Sequence, residues 1–62
     1  MNAESFEVVE ALGDWMAGRS ATRERRAAAE RAALAELRSG GSFDEAVVQG
    51  VLAFRHWEQP QA

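Results

Sequence analysis

The sequence predicts an all-α fold: a small three-helix domain, helix-turn-helix-turn-helix, completed by dimerisation or a partner. Apolar residues recur at helical spacing over three stretches, glycine and serine cluster between them, and no alternating strand pattern is visible. The helices are expected over about 4–17, 21–38 and 43–58, with a frayed tail at 59–62, all within one domain spanning 1–62.

The first stretch splits cleanly when residues are placed every 100°. Trp15, Val8, Leu12, Met16, Val9, Gly13 and Phe6 fall on one half, and Glu4, Glu7, Glu10, Asp14 and Ala11 on the other. Every ionisable residue here is acidic, and Glu4 and Glu7 suit the positive end of the helix dipole. Gly18 follows the last periodic residue as a natural stop. Ser20 is the expected cap of the second helix, with Thr22 as its rival.

The second stretch holds seven alanines, three glutamates and five arginines, all strong helix formers. Its apolar stripe is poor. Leu34 and Leu37 are its only large apolar residues, and nothing larger than alanine is available to bury from Thr22 to Ala33. This helix therefore reads as an arm with little core of its own.

Gly40 and Gly41 end that arm. Ser42-Phe43-Asp44-Glu45 then fits the capping box, S-x-x-E, ahead of an apolar run. The third helix carries a wide apolar stripe of Phe43, Ala46, Val47, Gly50, Val51, Ala53, Phe54 and Trp57. A narrow stripe of Val48 and Leu52 lies nearly opposite it. Pro60 blocks continuation. The aromatics Phe6, Trp15, Phe43, Phe54 and Trp57 are the expected core, and Gly13 and Gly50 on the apolar faces suggest close helix contact.

A chain of this length has a marginal core. It contains no cysteine, so neither a disulfide nor a thiolate metal site reinforces it. No secretory signal pattern and no apolar run of about 20 residues appears, which leads to the expectation of a cytoplasmic protein that does not enter a membrane. Membrane-surface binding also lacks a basis, because the helix with the apolar face is acidic.

Chemistry finds no foothold. His56 is the single histidine and has no orienting partner, since Glu58 two residues on would leave the other side of a helix. The acids of the first helix lack a loop to wrap a cation. No phosphate loop follows a strand. No catalytic residue, cofactor or metal ligand is therefore expected, and the chain is read as not an enzyme.

Charge is distributed unevenly: residues 1–18 carry −4, residues 19–38 carry +3, and the rest −2, for a net −3. The arginines invite a nucleic-acid reading, but the acidic neighbour, the negative total and the lack of a capped recognition helix argue against it. The expected function is a non-enzymatic helical protein–protein interaction module, acting as a homodimer or as a small accessory or adaptor subunit. Val48, Leu52, Arg23 and Arg26 are its candidate partner-binding residues. The alternatives are a small DNA-binding transcriptional regulator using the arginine-rich helix, and a docking segment that folds only with its mate.

Overall fold

The computed structural model describes residues 2–58, and the tail expected to fray at 59–62 lies outside them. Three helices form a bundle: α1 (Ala3–Met16), α2 (Arg23–Arg38) and α3 (Phe43–Arg55). No strand occurs among the described residues.

Local chemistry sets each boundary. The Asn2 side chain accepts from the Ser5 N–H at 2.8 Å and starts α1. After Met16 the chain makes a type II turn, with Ala17 at φ −60, ψ 134 and Gly18 at φ 81. The Arg19 N–H closes it onto the Met16 carbonyl at 3.0 Å. A positive φ at the third turn position is the conformation glycine adopts without strain. Thr22, not Ser20, caps α2 by accepting from the Arg25 N–H at 3.1 Å.

α2 ends in a Schellman motif. Gly41 N–H donates to the Glu36 carbonyl at 2.8 Å and Gly40 N–H to the Leu37 carbonyl at 3.1 Å, with Gly40 at φ 97. A side chain at Gly41 would also run into the Glu36 carboxylate. The capping box at α3 forms in full: Glu45 N–H donates to Ser42 Oγ at 3.1 Å, and Ser42 N–H to Glu45 Oε1 at 3.0 Å. The Ser42 N–H, and then its hydroxyl, hold the Glu45 carboxyl below its ordinary value.

α3 stops at Arg55, three residues short of the expected Glu58. At that end, the Phe54 carbonyl, which another turn would have bonded to the amide of Glu58, accepts from Arg25 Nε at 2.8 Å. Trp57 thus lies beyond the helix, half-buried.

The core comprises Val8, Leu12 and Met16 from α1, Ala29 and Ala33 from α2, and Ala46 and Phe54 from α3. Trp15, Leu37, Phe43, Val47 and Val51 pack around it. α2 and α3 form the most extensive pairing, which corrects the expectation of an arm. Ala29 and Ala33 are wholly buried, and so is Gly50 opposite them on α3. A Cβ on Gly50 would stand 2.7 Å from Leu12 Cδ2 and 3.2 Å from the Ala29 carbonyl oxygen. Small side chains therefore let two helix backbones approach closely, and burial comes from proximity instead of side-chain bulk.

Two further expectations are corrected. Phe6 is 60% exposed and contributes nothing to the core. It sits at the edge of the α1 stripe, on the side away from the Val8–Leu12–Met16 line. Gly13 permits no close contact within the chain, since a Cβ there would meet nothing within 4 Å.

Candidate interaction surfaces

Val48 and Leu52 lie one turn apart on α3, on the side away from Ala46, Gly50 and Phe54. They are 51% and 40% exposed. Their neighbours on that side, Asp44, Glu45, Gln49, Arg55 and His56, are exposed as well. The half-buried Val51 borders the pair and links it to the core edge. A small apolar patch with a polar rim results.

Arg23 and Arg26 are exposed and belong to a different place. They line an open groove between α1 and α2 together with Gly13, Met16, Ala27 and Glu30. The four candidate residues thus occupy two separate surfaces, one on α3 and one at the α1–α2 seam.

A third constellation, not visible in the sequence, joins the C-terminal ends of α1 and α3 to the start of α2. Trp15 and Phe54 meet edge to face, with ring centroids 5.2 Å apart and planes at 87°. The Arg25 guanidinium lies 4.0 Å from the Phe54 ring centre while its Nε holds the Phe54 carbonyl. Arg19 stacks 4.1 Å from the Trp15 ring and donates to the Trp15 carbonyl at 3.0 Å. Arg55 stands 5.7 Å from the same ring. A guanidinium satisfies a helix-end carbonyl and an aromatic face together, which an ammonium does less well. Three arginines that read as free charge in the sequence thus rest against aromatic rings, and two of them also bond helix-end carbonyls.

His56 is exposed, and it caps α3 through its backbone N–H, bonded to the Leu52 carbonyl at 2.9 Å. Among the described residues no group of three His, Cys, Asp or Glu is placed to hold a metal ion. No polar or charged residue is buried among them. No helix of the described residues is long and apolar enough to cross a membrane. No known protein family, no curated protein and no solved structure matches the chain.

Proposed function

We propose that this chain is a helical protein–protein interaction module, an accessory or adaptor subunit that docks through the outer face of α3. The observation that carries this reading is the exposure of Val48 and Leu52, stacked one turn apart. Single exposed apolar residues are ordinary. Here two adjoin on a domain in which, among the described residues, no wholly buried side chain is larger than leucine. Leaving them in water forgoes burial that a chain this small can use. The rim of Asp44, Arg55, Gln49 and His56 offers both charges and an amide, as the border of a protein interface does. A DNA-binding role draws less support, because Arg25 is held by Phe54 and the arginines of the groove lie beside the acidic α1.

The test is a photo-crosslinking residue placed at 48 or 52 in the host cell, with position 24 on α2 as the control. A discrete adduct from 48 and 52 is expected, absent from 24, and lost from position 48 when Leu52→Glu is added. Absence of adducts at both positions, with the protein expressed and folded, would sink the reading.

A further inference from the structure

We propose that the α1–α2 face is a self-docking surface, on which a second copy of this chain completes a four-helix bundle. The inference rests on the interaction-module reading and supplies one partner, on a surface distinct from Val48 and Leu52.

The residues at the seam fix the register. Gly13 and Met16 of α1 line the groove with Arg23, Arg26, Ala27 and Glu30 of α2. α2 runs back along α1, and both helices advance at the same rise. Pairing Gly13 with Ala27 across the groove puts Phe6 level with Leu34, Asp14 with Arg26, and Glu10 with Glu30, one residue from Arg31. Phe6 and Gly13 are seven residues apart and share one edge of α1. Ala27, Arg31, Leu34 and Arg38 occupy the matching edge of α2 at spacings of four and three.

Each edge is unfilled within the chain. Phe6 is 60% exposed. Gly13 faces open space, although a glycine weakens a helix interior and nothing inside the subunit requires one there. Val9, Ala27 and Leu34 are half-buried. Outside these apolar positions α1 presents only acids, Glu7, Glu10 and Asp14, whereas α2 presents Arg23, Arg31 and Arg38, all exposed, with Glu30 half-buried in the groove and Glu24 exposed near its start.

A two-fold axis parallel to the helices, running along the groove, sets α1 of one copy against α2 of the other at unchanged height. Phe6 then meets Leu34 of the second copy, Gly13 meets its Ala27, Glu10 its Arg31, and Asp14 its Arg23 and Arg26. Each contact occurs twice, as a two-fold interface demands. An axis perpendicular to the helices would instead bring the two acidic edges together. The charge pattern therefore selects the parallel axis and a second copy as the occupant.

The experiment is sedimentation over a hundredfold dilution series. It compares wild type, Phe6→Glu, Glu10→Arg, Arg31→Glu, an equal mixture of the last two, and Leu52→Glu. Circular dichroism of each variant checks folding. The wild type should pass from dimer to monomer on dilution. Phe6→Glu should weaken dimerisation at least tenfold with its helix signal intact, because Phe6 is outside the core. Glu10→Arg and Arg31→Glu should each weaken it alone. Their mixture should recover it, because both contacts of the mixed dimer again pair opposite charges. A wild type that stays monomeric throughout, or a mixture no tighter than its parts, overturns the proposal. So does a dimer lost in Leu52→Glu and kept in Phe6→Glu. That last pattern would place self-association on α3 and leave the interaction-module reading standing, whereas crosslinking failure at 48 and 52 strikes that reading alone.

Discussion

Gly50→Ala sets two effects of known size against each other. Alanine is better than glycine in a helix interior by about 1 kcal/mol, so an open position would gain from the change. At Gly50 the new Cβ would lie 2.7 Å from Leu12 Cδ2, 3.0 Å from Leu12 Cδ1 and 3.2 Å from the Ala29 carbonyl oxygen. Leu12 is wholly buried and cannot swing into solvent. The Ala29 oxygen is backbone, so relief requires α2 and α3 to part. Overpacking costs about 1–3 kcal/mol, and rigid walls on two sides place this case in the upper half of that range. The net is a loss of about 1–2 kcal/mol, or roughly 5–15 °C in Tm for a domain this small. Urea melts followed by circular dichroism would measure it. Leu12→Val removes both Cδ atoms, so the added methyl should cost about 1 kcal/mol less in that background, as a double-mutant cycle would report. A Gly50→Ala protein as stable as wild type, or no coupling to Leu12, would refute close packing at this point.

Arg25→Met should destabilise by about 1–2 kcal/mol, because it removes a charged donor from the Phe54 carbonyl and a cation from its ring. Arg25→Lys should not restore the loss, which urea melts would show. Ser42→Ala should cost about 1 kcal/mol at the α3 cap. The folded-state pKa of Glu45 is lowered, so its contribution is fully present above the usual carboxylate range and is lost as pH falls through the lowered value. The urea midpoint of wild type should accordingly fall in acid more than that of Glu45→Gln, and coincident pH profiles would contradict the assignment. Phe54→Ala deletes a residue that touches Trp15 and Arg25. The loss of about 3–5 kcal/mol equals the whole stability of such a domain, so the circular-dichroism helix signal should collapse. Leu52→Glu, at a 40% exposed site, should keep that signal.

What the sequence made legible was local. The capping box, the double-glycine stop and the Val8–Leu12–Met16 stripe each depend on residues within one short stretch of chain, and each forms as expected. The failures share a different origin. The Phe54 carbonyl at the end of α3 is satisfied by Arg25, 29 positions away, and no local pattern encodes that bond. α2 looked unable to contribute a core because hydrophobic periodicity weights large side chains. Ala29 and Ala33 work by being small, and their value appears only when Gly50 is placed opposite. Phe6 and Gly13 share an edge of the α1 wheel, where a small rotation decides between core and solvent. Thr22, and not Ser20, caps α2 by accepting from the Arg25 N–H. Of the candidate partner residues, the exposure of Val48 and Leu52 followed from the wheel, whereas the seating of Arg23 and Arg26 beside Gly13 required the fold.

The arginines acquire a meaning in the fold that their count does not convey. Arg19, Arg25 and Arg55 rest on the Trp15 and Phe54 rings, and two of them bond helix-end carbonyls. Each keeps its full charge, but Arg19 and Arg25 commit a donor to a carbonyl of the bundle end, which leaves fewer donors to grip a phosphate. Arg23, Arg26, Arg31 and Arg38 remain, all exposed and all on α2. Across the seam α1 exposes Glu4, Glu7, Glu10 and Asp14. Opposed charged edges on adjacent helices of one subunit cannot neutralise each other fully, since the edges point away from the shared core. They can do so between subunits, where the acidic edge of one meets the basic edge of the other. The same segregation that weakens phosphate attraction on a monomer would therefore direct the orientation of a pair.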